Sequence, residues 1–336
     1  MYMFKYVLKR LGLLVMCFSI IMLMCFVLVK LLPFSVTAGL TEDKNKLYFK
    51  LVDRGYIENL VYDSKGNVVG YDKVPILRQL VLYLKRIFTD GDFGIGVKMA
   101  AYRNKSVVDV FARHLPPTIL INIYSSLIGV PIGLGLGILA ALKKNKWQDH
   151  VISTGVIVLI SVPSIVYALL ILYIFCFKLG WFPKRMDSGY DYLSWSMFKS
   201  MLPAVFSLCL GSIAGYARYT RAELTEVLTS EFMLLARTKG LTRGQATVRH
   251  ALRNGMVPIF PSIIAEFISV LSGSLIIEQM FSIPGVGGLY LESIQVLDYD
   301  FFMFLSGFYC IVGLLAGIVV DISYGFIDPR IRMGAR

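Results

Sequence analysis

Side chains that could do chemistry are few in this chain, and most of them stand alone. The five cysteines (Cys17, Cys25, Cys176, Cys209 and Cys310) all lie in apolar runs, and none has CxxC spacing. The three histidines (His114, His150 and His250) do not cluster with them. The cysteines read as small buried apolar residues, with neither a disulfide nor a metal site predicted. Gly91 and Gly96 have the spacing of a phosphate loop. Val97-Lys98-Met99 follows, however, where Lys-Ser/Thr is required, and no strand–loop–helix unit surrounds it. No nucleotide site is predicted there. The absence of H-E-x-x-H and of a paired Asp arrangement argues against an intramembrane enzyme.

What remains is a set of polar residues inside apolar stretches, where an ionisable group is costly enough to suggest function. Glu266, Glu278 and Asp321 are of this kind, with Asn122 as a neutral companion. Glu278 reads as lining an outer gate, as pinning the Pro284-Gly285 loop, or as a partly hydrated acid at the interface. Glu266 reads as facing a polar path through the membrane, or as meeting a basic residue of a partner subunit. Asp321 reads as the partner of Arg330 or Arg332.

The elements that must position these residues are membrane spans. The chain has 336 residues, 56% of them hydrophobic, and a mean hydropathy of +0.67. A soluble domain of this size does not need such a composition. Several apolar runs reach the roughly 20 residues that cross a bilayer. The net charge is +12. Its Lys and Arg are scattered among loops between apolar runs, which suits a membrane protein better than a nucleic-acid binder.

In chain order, Lys5, Lys9 and Arg10 precede an apolar run from Leu11 to Leu32. Val36-Thr37-Ala38 offers a cleavage site, but the run exceeds a signal-peptide core of about 7–15 residues, so an uncleaved first span is predicted. Residues 34–112 are polar and of mixed charge. They are predicted to hold a short helix over 41–53, a hairpin over 59–71 turning at Ser64-Lys65-Gly66, and an amphipathic helix opened by Pro75. That helix places Leu77, Leu80, Val81, Leu84, Ile87 and Phe88 on one face, to lie on the membrane surface or pack against the spans. Further spans are predicted over 117–142, 152–177 (interrupted by Pro163), 201–218, 259–280 and 302–326. Gly129, Gly133, Gly135 and Gly137 give the second a small-residue stripe suited to close helix packing. Lys143-Lys144-Asn145-Lys146 and the basic residues of 218–258 place those loops inside, and both termini with them. The insertion 34–112 is also rich in Lys and Arg, but long loops translocate largely regardless of charge.

One stretch on the inside is both charged and helix-forming. Residues 231–258 read EFMLLARTKGLTRGQATVRHALRNGMVP. A helix is predicted over 230–239, stopped by Gly240. A second is predicted over 245–254 with Thr242 as its N-cap. Together they make a compact basic knob.

The knob resembles a known family. Ala236-Arg237-Thr238-Lys239-Gly240-Leu241, then Arg249-His250-Ala251-Leu252-Arg253-Asn254 and Pro258, are similar to the membrane-spanning permease subunits of bacterial ABC importers. The likeness is to the oligopeptide and dipeptide branch, which also includes nickel permeases. The broad family motif is Glu-Ala-Ala, three residues, Gly. This chain keeps Ala236 and Gly240 but has Leu234-Leu235 in place of Glu-Ala, a departure common in the peptide branch. Gly91-Asp92-Phe93-Gly94, Leu179-Gly180-Trp181-Phe182-Pro183, Phe281 to Gly288, and Asp328-Pro329-Arg330-Ile331-Arg332 resemble further family elements. The likeness covers residues 90–332 and leaves 34–90 without a specific match.

The resemblance implies an all-α polytopic membrane protein with the six transmembrane helices of the type I ABC importer fold. A small α+β extracytoplasmic insertion would separate helices 1 and 2. The expected divisions are 1–33 (first span), 34–112 (insertion) and 113–336 (five-helix core, with the coupling loop at 219–258). Ala236, Arg237, Lys239, Gly240 and Leu241 are expected to couple to a separate ATPase, with Ala236 and Gly240 small enough for its groove and Arg237 and Lys239 meeting its acidic groups. Asn122, Glu266 and Glu278 are the expected path or gate residues. The expected partners are a second homologous permease, two ATP-binding-cassette ATPases, an extracellular peptide-binding protein, a peptide substrate and the bilayer. The chain itself is expected to hold no cofactor, ATP and Mg being bound by the ATPases, and to contact no nucleic acid. It is expected in the bacterial cytoplasmic membrane, multi-pass, with both termini cytoplasmic. Nickel or a metal chelate is an alternative cargo. An ion-coupled secondary transporter or channel is the alternative of a different class.

Overall fold

The computed structural model describes residues 2–31, 44–187, 189, 191–192 and 194–327. Apolar composition dictates helices here, because backbone polar groups in a bilayer must be satisfied within their own segment. Among the described residues four helices are long and apolar enough to cross a membrane, or six if each of two bent helix pairs counts as one span.

The elements run α1 (Tyr2–Leu31), α2 (Lys44–Asp53), β1 (Ile57–Tyr62), β2 (Val68–Lys73), α3 (Ile76–Asp90), α4 (Val107–Leu142), α5 (Trp147–Ser161), α6 (Ser164–Ile171) and α7 (Trp195–Leu228). Then come α8 (Glu231–Thr238), α9 (Arg243–Ala246), α10 (Arg253–Gly255), α11 (Ile259–Ser269), α12 (Leu275–Met280), α13 (Val286–Gln295) and α14 (Tyr299–Ile327). Tight or wide helical turns extend several of them, including a π-helical stretch over Leu172–Lys178. The chain divides into two compact units, one of residues 1–114 with 289–311, the other of 115–288 with 312–336.

In the first unit, β1 and β2 pair antiparallel. The Asp63 carboxylate closes their turn by accepting from the Lys65 and Asn67 amides, both at 2.8 Å. The hairpin and α2 share a core of Leu47, Leu51, Tyr56, Ile57 and Val97. Helix α3 starts at Pro75 as expected, but its apolar face is divided. Tyr83, Leu80 and Ile87 pack in a cluster with Phe26 of α1 and Met303 of α14. Leu77, Val81, Leu84 and Phe88 stay exposed, while Gln79 is buried with its amide donating to Val74 O.

In the second unit the glycine stripe works as expected at three of its four positions. A Cβ on Gly129, Gly133 or Gly137 would lie 3.2, 2.9 or 2.7 Å from the carbonyl oxygens of Cys209, Ile213 or Ala217 on α7. Gly135 faces open space. Helix α4 has 36 residues, a length of about 54 Å, so it extends well beyond a hydrocarbon core.

Two expected spans and one expected loop differ in the structure. The expected span over 152–177 is two helices meeting at 99°. Val162 takes the extended conformation that a following proline imposes, and Pro163 opens the next helix. The span expected over 259–280 stops near Ser272, because Gly273 adopts φ +67° and the chain restarts as α12. Between α12 and α14, where a loop was expected, lies the further helix α13. Val36-Thr37-Ala38, weighed above and set aside as a cleavage site, and the Asp328–Arg332 element lie outside the described residues.

Candidate functional site

The knob begins where α7 ends. Helix α8 has Glu231 in its first turn and Arg237 in its last, each complementing the helix dipole. Gly240 takes φ +91°, the left-handed conformation that only glycine adopts freely, and reverses the chain. Thr242 then caps α9 in a reciprocal box. Its hydroxyl accepts from the Gln245 amide at 3.3 Å, and the Gln245 side chain accepts from the Thr242 amide at 3.1 Å. The second knob helix over 245–254 is present, but with a π-helical stretch at Thr247–Leu252.

The knob has its own core. Met233, Ala236, Ala246 and Ala251 cluster with Ala141 at the end of α4 and Leu224 near the end of α7. Ala236 is therefore small because of packing inside the knob. A Cβ on Gly240 would meet nothing within 4 Å, so its requirement is conformational. Leu241 is half-buried against the same cluster. Outward stand Phe232, Leu234, Leu235 and Val248, all exposed, beside the exposed Arg237, Lys239, Arg243 and Arg249. An apolar patch rimmed by charge on a small helical knob is the mark of a docking surface.

One ion pair supports this region, although Asp149 was not singled out in the sequence. Arg221 on α7 holds Asp149 bidentately, at 2.5 and 2.9 Å. Asp149 also accepts from the Asn145 amide and the Ser153 hydroxyl, at 2.9 and 3.2 Å. The first turn of α5 is thus tied to α7 beneath the knob.

Of the three expected path residues, Glu278 and Asn122 both bond to Thr118, while Glu266 is engaged by Ser212. Glu278 is fully buried. Its Oε1 accepts from the Thr118 hydroxyl at 3.0 Å and its Oε2 from the Gly287 amide at 2.8 Å. Thr118 accepts in turn from the Val286 amide at 2.9 Å. The Pro284-Gly285 turn wraps the carboxylate so closely that a Cβ on Gly285 would come within 2.2 Å of Oε2. A Cβ on Gly273 would stand 2.3 Å from Oε1. Of the readings weighed for Glu278, the geometry matches pinning of this turn. Thr118 was missed, because a lone threonine after two prolines carries no sequence signal. Asn122 donates to the Thr118 carbonyl one turn back in its own helix, at 2.7 Å.

Glu266 is placed differently. It borders a cavity of about 580 Å³ formed mainly by α7 and α11. The Ser212 hydroxyl donates to its Oε1 at 2.7 Å. Tyr216 and Tyr219 also line the cavity, with their hydroxyls donating to the Ser262 and Pro258 carbonyls at 3.0 and 3.2 Å.

The first unit contains a second set of buried acids, Asp298 and Asp300, not singled out in the sequence. Asp298 Oδ2 accepts from the amides of Val97, Lys98 and Met99 at 2.8, 2.7 and 3.0 Å. Burial pushes this carboxyl up to about 6, against the pull of the three amides, and neighbouring Asp300 adds to the rise. Asp300 accepts from the Tyr56 hydroxyl and the Ile95 amide. Gly94, at φ +115°, fits against Asp300, and Arg54 pairs with Asp92 at 2.6 Å. The glycines at 91–96 therefore serve backbone turns and close packing. Among the described residues no group of His, Cys, Asp or Glu is arranged to hold a metal ion.

Long apolar helices, with an exposed helical knob between two of them, define a multi-pass membrane protein. The family model for the binding-protein-dependent transport system inner membrane component matches residues 133–333, and the chain belongs to that family. It is accordingly a permease subunit of an ABC importer, a transport component and not an enzyme. It is 31% identical to the dipeptide transport system permease protein DppB of Lactococcus lactis subsp. cremoris, over 98% of this chain and all of that one. It is 34% identical to DppB of Bacillus subtilis, over 77% of this chain and 80% of that one. It is 33% identical to the oligopeptide transport system permease protein OppB of Haemophilus influenzae, over 77% and 81%. Among solved structures, a crystal structure of an amino acid ABC transporter with histidines superposes with a TM-score of 0.51 at 20% identity. That match covers 65% of this chain and 94% of the other, and shows the common fold.

Proposed function

We propose that this chain forms half of a transmembrane pathway for peptide uptake in a bacterial cytoplasmic membrane, with both termini cytoplasmic. The other half is a second homologous permease. Two ATP-binding-cassette subunits bind ATP and Mg and dock on the knob, and an extracellular protein delivers the peptide. The observation that carries this is the knob surface. Phe232, Leu234, Leu235 and Val248 are exposed among basic residues, on a body fixed to the ends of α4 and α7. A partner that moves the knob moves those two helices with it, and so alternates access to the pathway. Arg237 and Lys239 meet acidic groups of the ATPase, while Ala236, Gly240 and Leu241 maintain the shape of the docking surface. Peptide as cargo is supported by the relatives, two dipeptide permeases and an oligopeptide permease.

Purification from the native membrane in mild detergent tests this assembly. A second multi-span permease and nucleotide-binding subunits are expected to accompany the chain, and vesicles holding the complex are expected to accumulate trialanine only with ATP inside the compartment that the knob faces. A chain recovered alone in several detergents, with uptake that follows an ion gradient instead, would refute the proposal.

A further inference from the structure

The cavity beside α11 has a chemical bias. Its lining includes serine and tyrosine hydroxyls, and Glu266 is its one charged side chain among the described residues. The hydroxyls are largely committed. Tyr216 and Tyr219 donate to backbone carbonyls, Ser269 donates to the Glu266 carbonyl at 2.7 Å, and Ser212 donates to Oε1 of Glu266. Among the described residues Oε2 has no hydrogen-bond partner, and no Lys, Arg or His lines the cavity. Within its own chain the carboxylate therefore has one hydroxyl to offset its charge and no cation. An acid in a membrane span is retained where it faces a water-filled cavity and pairs with a charge. Low-dielectric walls concentrate the field of a single charge into such a space.

We infer that Glu266 is a cation-selecting residue of the pathway, pairing in passing with a positively charged group of the peptide. This rests on the peptide-permease reading. Ser212 orients the carboxylate, and its free oxygen accepts the ammonium or guanidinium hydrogens of the cargo. The inference reaches beyond a general role in the path, because it states a preference: basic peptides cross faster than acidic ones of equal size.

The test uses the whole transporter in vesicles with saturating loaded binding protein. The probes are Ala-Lys-Ala, Ala-Glu-Ala and trialanine. With the native chain, the uptake rate of Ala-Lys-Ala is expected to exceed that of Ala-Glu-Ala. Glu266→Gln is expected to reduce that ratio by about tenfold, equal to about 1.4 kcal/mol, and Glu266→Lys to invert it. Glu266→Asp is expected to preserve its direction. An unchanged ratio in Glu266→Gln would overturn the inference and leave the permease reading intact. Loss of the second permease from the purified Glu266→Gln complex would also overturn it, by assigning the carboxylate to a subunit contact. Native vesicles that carry none of the three peptides with ATP would overturn the peptide-permease reading itself, and this inference with it.

Discussion

Glu278 and Glu266 are the same residue type, close in sequence, and the structure gives them opposite surroundings. Glu278 has no exposed surface, and both of its oxygens receive hydrogen bonds. Glu266 borders open space with one oxygen engaged by Ser212. A buried acid whose oxygens are satisfied by the surrounding turn fixes structure. An acid beside a cavity, with acceptor capacity to spare, is free to meet something that passes. The cost of an ionisable group within apolar surroundings flags both residues equally. Only the donors around each tell the two roles apart.

The largest effect expected from this contrast is at Glu278. Glu278→Leu leaves the Gly287 amide without its acceptor and the Thr118 hydroxyl without its own. It is expected to destabilise the second unit by about 3–5 kcal/mol, read as a fall in the melting temperature of the purified chain. An unshifted melting temperature would erase the distinction between the two acids.

Asp298 extends the comparison, because it is engaged by three amides through Oδ2 while Oδ1 has no partner among the described residues. Its carboxyl, raised to about 6, holds a proton more tightly in the native state than in the unfolded chain. Its contribution to stability is therefore greatest below the unfolded value near 4 and falls as pH rises through about 6. The change is expected to amount to about 2–3 kcal/mol. Melting curves of the native chain and of Asp298→Asn between pH 4.5 and 7.5 check this. The difference between the two is expected to vary with pH, and a constant difference would contradict it.

A smaller effect is expected at Gly285, where a methyl group would press on Oε2 of Glu278 at 2.2 Å. Gly285→Ala is expected to cost about 1–3 kcal/mol as the turn shifts. The same melting assay reads it, and neutrality would show that the turn does not depend on the carboxylate. The smallest effect is at Glu266. Glu266→Gln, which retains an acceptor for Ser212, is expected to change stability by less than about 0.5 kcal/mol. A loss as large as that of Glu278→Leu would make both acids structural.

Much of this architecture is legible in the sequence, for identifiable reasons. Long apolar runs leave the backbone no alternative to helices, so the main apolar segments are found, although α4 starts ten residues before and α7 ends ten residues after the expected bounds. The knob follows from Gly240 and the Thr242 cap, and the hairpin from its turn at Gly66. What escapes the sequence are features that depend on contacts between distant residues. Apolar composition continues through Gly273, so nothing local marks where α11 stops. The break becomes necessary only once the Glu278 carboxylate occupies the space beside that glycine. Pro163 announces an interruption but not a bend of 99°. Asp149, Asp298, Asp300 and Thr118 look ordinary in sequence, because their partners lie up to 244 residues away. The knob shows the same limit. The pattern around Ala236 and Gly240 locates the coupling stretch, but the fold turns Ala236 inward and leaves Leu234 and Leu235 outward, 64% and 55% exposed. Ala236→Glu would therefore damage the knob's own core before testing any partner.

The exposed pair gives the cleaner test of coupling, which is the central claim for this chain. The measurement is ATP-driven trialanine uptake by vesicles containing the complete transporter, with Leu234→Asp and Leu235→Asp combined in this subunit. The double variant is expected to keep its native melting temperature, to lose the nucleotide-binding subunits on purification, and to transport at least about tenfold more slowly, as when central residues of an interface are lost. Uptake at the native rate by a complex of native composition would contradict the account.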